Sequence, residues 1–210
     1  MESKKCAFFT DIQEYLMEVN TMRTAFIGLD YIIDIMHPQG KIARSAAHAQ
    51  ERDIIKKVNK VLEIAILKNW LTIMVKVGFS ADYTEQPKHS PIFGKVNVLD
   101  ALKLGSKGTE FHPELLIGNS LTMVKPRVSA FYGTALDAAL RANQIERVIL
   151  GGVSTSWAVE STARDAHDRD YKVCIVEDIC AAANQEEHQF SIQLMEKIAQ
   201  IVTVNELKGI

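Results

Sequence analysis

The sequence predicts an α/β fold, a three-layer α/β/α, Rossmann-like arrangement around a six-stranded, mostly parallel sheet. Two observations predict it. Short apolar runs rich in Val and Ile alternate along the chain with segments of helical period, the pattern of parallel strands joined by crossover helices. The chain is also long and apolar enough for one sizeable core, with 210 residues of which 47% are hydrophobic, so one domain over 1–210 is expected.

The elements follow in order. Phe8 to Asn20 has an amphipathic helical pattern, an extra helix at about 8–20. Thr24 to Leu29 (TAFIGL) is a buried strand ending at Asp30. After a Pro38-Gln39-Gly40 turn, Ala46 to Lys68 places Ile54, Ile55, Val58, Val61, Leu62, Ala65 and Ile66 at helical spacing, so one long helix is expected to cover a face of the sheet. Leu71 to Val77 is the second strand. Gly78 to Glu110 mixes Gly, Pro and polar residues and reads as a long loop with one short helical turn, the length of a functional lid or binding loop. Strands then follow at Leu121 to Val124, Arg147 to Leu150, Lys172 to Glu177 and Ile201 to Val204. The helices expected between them are Gly133 to Asn143, Trp157 to Arg169 and Gln185 to Ala199.

Charge and cysteine content exclude several functions. With 24 basic against 26 acidic side chains, the formal net charge of -2 offers no field for nucleic acid or an anionic membrane, and neither is expected as a partner. No run approaches the roughly 18 apolar residues of a membrane span, and only a short apolar stretch follows the first lysines, too short for a secretory h-region. Cys6, Cys174 and Cys180 are odd in number and show no C-x-x-C spacing, as expected of a cytoplasmic protein.

In a doubly wound sheet, ligands bind outside the carboxyl ends of the strands, so residues just past strand ends are the candidates. Three stand out: Asp30, Lys125 and the turn Gly151-Gly152-Val153-Ser154-Thr155-Ser156. They converge on one crevice if their strands are central neighbours. Each also has a plain structural reading: an Asp after a strand is commonly a turn residue, and a Lys before Pro126 is commonly solvated. The glycine turn lacks the spacing of a P-loop or a dinucleotide fingerprint, but it opens a helix whose N-terminal amides suit a carboxylate or a developing oxyanion. Trp157 is a further candidate for the pocket wall, although an aromatic there is more often core.

Two stretches carry a resemblance. Lys125 to Leu136 (KPRVSAFYGTAL) and Gly152 to Ala166 (GVSTSWAVESTARDA), together with the strand AFIGLD, resemble the isochorismatase-like hydrolases, also called the cysteine hydrolase superfamily, from about Met22 to the end of the chain. GFSADY at Gly78 to Tyr83, the stretch Glu160 to Arg164 and Ala158 are similar to a subgroup of bacterial members that lacks the nucleophilic cysteine. In thiol-dependent members, an aspartate matching Asp30 serves as base to the thiol, and a lysine matching Lys125 polarises the pair. The resemblance also implies an oxyanion held by the backbone N–H groups of Ser154 and Ala158, a cis peptide between Val153 and Ser154, a small-molecule substrate and a homodimer or homotetramer.

The departure from the family pattern decides which chemistry is open. Ala158 stands where the nucleophilic cysteine would be, and a methyl group cannot form a covalent intermediate. By their places in the sequence, Cys6, Cys174 and Cys180 do not replace it. Some relatives work without a thiol: isochorismatases cleave a vinyl ether, with the aspartate matching Asp30 as general acid. Burial would favour a protonated Asp30 and Lys125 would oppose it, so the direction is open in the sequence. The expectation is a hydrolase using Asp30 and Lys125 without a thioester. The alternatives are a ligand-binding protein that has lost its chemistry and a Cys-to-Ala variant of an amidohydrolase. No cofactor and no metal are expected: Asp82 and His89 lack the Asp-x-His spacing of the nicotinamidase branch, and His37, His48, His112, His167 and His188 form no ligand pattern.

Overall fold

A computed structural model describes residues 22–210. The amphipathic segment 8–20 and Cys6 lie outside the described residues. Six strands form one sheet: β1 (Thr24–Leu29), β2 (Leu71–Val77), β3 (Leu121–Lys125), β4 (Arg147–Gly152), β5 (Lys172–Val176) and β6 (Gln200–Val202). Their order is β3-β2-β1-β4-β5-β6, and every pairing is parallel. The order reverses between β1 and β4, so the crevice of a doubly wound sheet opens beyond Asp30 and Gly152. β3 is not a neighbour of β1, because β2 lies between them. Lys125 therefore reaches the crevice from the sheet edge.

The central strands β1, β4 and β5 are buried on both faces. Ala25, Ile27, Leu29, Val148, Leu150, Val173 and Ile175 point to one side, where α4 (Leu136–Ala142), α5 (Glu160–His167) and α6 (Gln185–Met195) cover them. Phe26, Met74, Ile149, Cys174 and Val176 point to the other, under α3 (Ile54–Leu67). Alternate strand residues facing opposite layers are what a period of two demands.

The long helix expected over Ala46 to Lys68 is two helices, α2 (Ala46–Glu51) and α3. Asp53 interrupts it with φ 55°, and beside it the Arg52 guanidinium is tied to the carbonyls of Cys180 and Glu177, both 3.0 Å away. These distant contacts set the bend and no local pattern reports them. The helix expected from Gly133 begins only at Leu136: Gly133 has φ 66°, and the Thr134 hydroxyl accepts from the Leu136 amide at 3.1 Å. The helix expected from Trp157 opens with a π-helical turn, Thr155–Val159, before α5. α6 is capped by Asn184, which accepts from the Glu187 amide, and ends at Met195 rather than Ala199. A four-residue helix, α1 (Ile33–Met36), was not foreseen.

The segment 78–110 packs around a small core of its own, in which Phe79, Tyr83, Phe93, Val96 and Leu102 join Ile32 and Val77. Its short helical turn is Lys107–Thr109. Among the described residues no helix is long and apolar enough to cross a membrane.

Gly152 is required by the approach of two strands. A Cβ there would lie 2.5 Å from Leu29 Cβ and 2.6 Å from the Leu29 carbonyl oxygen, and backbone cannot swing aside as a flexible side chain can. Gly152→Ala is expected to destabilise the protein by about 1–3 kcal/mol, the usual range for overpacking. A lower urea midpoint with an unchanged slope is the expected observation, and an unchanged midpoint would contradict the close packing of β1 on β4.

Candidate active site

A cavity of about 340 Å³ lies at the carboxyl ends of the central strands. This is near the lower end of small-molecule sites, which run from roughly 300 to 1,000 Å³. Asp30, Val77 and Lys125 come to it from the ends of β1, β2 and β3, and Val153, Ser154, Trp157 and Ala158 from the turn after β4. The segment 78–110 covers it with Pro91, Ile92, Phe93 and Leu102.

Asp30 and Lys125 form the polar floor. Asp30 has φ 56°, a left-handed conformation that Asp tolerates better than most residues, and this turns its carboxylate across the end of β2. One carboxylate oxygen accepts from the Val77 amide at 2.7 Å, and the other lies 2.7 Å from Lys125 Nζ. Lys125 Nζ also donates to the carbonyls of Val128, at 2.7 Å, and Arg127, at 3.3 Å. Both side chains are buried, with Asp30 3% and Lys125 1% exposed. Burial pushes the Asp30 pKa up, and the charge and hydrogen bond of Lys125, with the Val77 amide, pull it down by less. The carboxyl therefore holds its proton more tightly than an ordinary aspartate.

The peptide bond Val153–Ser154 is cis. Val153 N donates to the Leu29 carbonyl at 3.0 Å and Thr155 N to that of Ala181 at 2.9 Å, so the turn is fastened on both sides of Ser154. Ala158 sits in the π-helical turn, 3% exposed, with its methyl on the cavity. Trp157 is 47% exposed and lines the cavity, so the core reading of this aromatic does not hold. Cys174 and Cys180 are buried free thiols away from the cavity. Burial holds their pKa values up, at about 11 and about 12, so neither offers a thiolate near neutral pH.

The two motifs of the sequence are clamped to each other. The Ser129 hydroxyl donates to the Asp165 carboxylate, and the Ala130 amide donates to Thr162 Oγ1 at 3.0 Å. Arg169 holds the same Asp165 at 2.6 Å. These motif residues brace the turn that carries Ala158 and do not line the cavity.

Sequence reasoning missed a second buried network behind that turn. His188 is fully buried, 2.8 Å from Thr155 Oγ1 through Nδ1 and 3.2 Å from Glu177 through Nε2. The hydrogen bond from His188 and the contact with Arg52 hold the Glu177 carboxyl at about 2, so it is ionised and can only accept. The His188 proton is therefore on Nε2, and the Thr155 hydroxyl donates to Nδ1. Burial lowers the His188 pKa against the opposing pull of Glu177.

Both shifts have the same consequence. His188 and Glu177 have folded pKa values below their unfolded ones, so their contribution is complete above about pH 6.5 and is lost as pH falls, first from His188 and then, below about 4.5, from Glu177. On going from pH 7 to pH 5 the urea midpoint of the unmodified protein is expected to fall relative to that of His188→Gln. Identical slopes for the two proteins would contradict this account.

Among the described residues no three His, Cys, Asp or Glu side chains gather as a metal-binding group. Asp82 is engaged by Ser80 and Thr84 in a turn, and His89 is exposed.

A fully parallel sheet of this order sets an Asp–Lys pair, a cis peptide and a helix start together at the switch point of a doubly wound α/β protein, where such folds place their sites. The family model described as the isochorismatase domain matches residues 24–206, and the chain belongs to the isochorismatase family. An uncharacterized isochorismatase family protein, YecD, from Escherichia coli O157:H7 is 30% identical over 195 residues, covering 91% of this chain and 98% of that protein. An isochorismatase family protein from Desulfovibrio vulgaris superposes with a TM-score of 0.80 at 22% identity, over 90% of this chain and 98% of that one, a likeness of fold. A pyrazinamidase/nicotinamidase from Streptococcus mutans gives a TM-score of 0.73 at 26% identity, over 85% and 99% of the two chains.

Proposed function

We propose that the protein hydrolyses a small molecule by acid–base catalysis at Asp30, without a covalent thioester. The observation that carries this reading is a buried carboxyl of raised proton affinity on the floor of a cavity whose nucleophile position is a methyl group. Nicotinamidase chemistry, named for one relative, would need a thiol at position 158, and Ala158 has none to offer.

An isochorismate-type vinyl ether suits an acid without a nucleophile. Protonated Asp30 would give its proton to the terminal carbon of the enol ether, leaving an oxocarbenium ion. Water adds to that cation and returns a proton to the Asp30 carboxylate, and the hemiketal then collapses to an alcohol and a carbonyl compound. Lys125 would hold Asp30 in place, and the Ser154 and Ala158 amides would receive a substrate oxygen. Trp157 would wall off the ring.

Turnover of isochorismate and of a panel of small amides by the unmodified protein, with mass spectrometry of the protein during turnover, tests the reading. Hydrolysis with no mass added to the protein is expected. A covalent acyl adduct, or tight binding of these compounds with no turnover of any, would overturn it.

A further inference from the structure

We infer that Thr155 and His188 are positioning residues for the turn 153–158: the imidazole grips the threonine hydroxyl from behind, and that grip sets the amides of Ser154 and Ala158 against the cavity. This rests on the proposed function for its effect on rate, but not for the placement of the turn. Ser154, Trp157 and Ala158 line the cavity, whereas Thr155 between them is fully buried and turns its side chain back to α6. Its amide donates to the Ala181 carbonyl at 2.9 Å, and its hydroxyl lies 2.8 Å from His188 Nδ1. The Ser191 hydroxyl, 3.3 Å from the Thr155 carbonyl, has one proton and a nearer acceptor in Glu160 at 2.6 Å, so it adds little. A threonine is branched at Cβ and stiff at χ1, so fixing Oγ1 fixes the approach of the backbone to α6.

The chain of groups behind Thr155 supplies direction as well as reach. Arg52, from the junction of α2 and α3, lies 2.6 Å from Glu177 just past β5, and Glu177 lies 3.2 Å from His188 Nε2. An ionised Glu177 keeps the imidazole proton on Nε2, so Nδ1 offers its lone pair and the Thr155 hydroxyl has one orientation. His188 is itself fixed, fully buried on α6 with the His48 ring edge-on at 5.7 Å between centroids. A buried polar pair elsewhere in the fold would serve stability alone. This one stands next to Ser154, between the Val153 amide, which is tied to Leu29, and the partly buried contact of Ser156 with Glu187. Loss of the grip is therefore felt first in the turn that faces the cavity.

The turn can be followed without a substrate. Trp70 and Trp157 are the two tryptophans of the chain, so in a Trp70→Phe background the emission of Trp157 and its quenching by acrylamide report the turn. Thr155→Val keeps the shape and removes the hydroxyl; it is expected to shift the emission and raise the quenching, while Thr155→Ser should resemble the unmodified protein. His188→Gln, whose amide ends near the Nε2 position, should match Thr155→Val. His188→Asn, whose oxygen can occupy the Nδ1 position, should be milder. Thr155→Val combined with His188→Gln should add nothing to either alone, because His188 acts through Thr155. On isochorismate, Thr155→Val and His188→Gln are expected to lose about ten- to hundredfold in kcat, the scale of a misplaced reacting group, with KM changing much less. Circular dichroism checks that each variant is folded. Absence of isochorismate turnover in the unmodified protein would count against the proposed function, and the fluorescence would still decide on the positioning. Unchanged Trp157 quenching in Thr155→Val, equal damage from Thr155→Ser, or fully additive effects at the two positions would overturn the inference, as would a raised KM with kcat intact.

Discussion

Asp30→Asn is expected to lower turnover by about 10²–10⁴, the range that a positioned general acid or base contributes. The substitution is conservative in shape. An amide oxygen can still accept from the Val77 amide, and Lys125 keeps the carbonyls of Val128 and Arg127. What disappears is a proton acidic enough to be transferred to the substrate. The pH dependence gives a second readout. An acid must be protonated to act, so the rate should fall as pH rises through the Asp30 pKa, which burial has moved up. The residual rate of the variant should not follow that limb. Full activity in Asp30→Asn would remove Asp30 from the mechanism.

Lys125→Met should have the largest effect on stability. It leaves a buried carboxylate with the Val77 amide as its remaining protein partner and no counter-charge, a loss of about 3–5 kcal/mol where the carboxylate is ionised. The sign with pH can be worked out. Asp30 has a folded pKa above its unfolded value of about 3.8, so its favourable contribution is complete below that value and is lost as pH rises through the folded pKa. Removing Lys125 raises the folded pKa further. The variant's deficit in urea midpoint should therefore be greater at pH 8 than at pH 5, and the alkaline limb of its rate profile should move to higher pH. A deficit independent of pH would show that Lys125 acts as packing and not as the counter-charge of Asp30.

The strands were legible because a strand buried on both faces is written as a continuous apolar run, as in TAFIGL, RVILGG and KVCIV. Helix ends were less so. The bend at Asp53 follows from Arg52 reaching Glu177 and Cys180, more than a hundred residues away, and no window around Ala46 to Lys68 carries that information. The site divides in the same way. Asp30, Lys125 and Ala158 lie in motifs and at strand ends, where a doubly wound sheet concentrates its chemistry. Thr155 and His188 are single polar residues without spacing, and their roles come from what they meet across the fold.

Read from the chain alone, the order of the strands, the carboxyl and amine at strand ends and the alanine at position 158 were accessible. These are matters of residue identity and of the periodicity that burial imposes on neighbouring positions. The proton affinity of Asp30 and the exposure of Trp157 required the tertiary structure. Electrostatic balance depends on distance and on access to water. Both are set by residues far apart in sequence, and the competition between burial and Lys125 over one proton is settled only once the fold has placed them 2.7 Å apart.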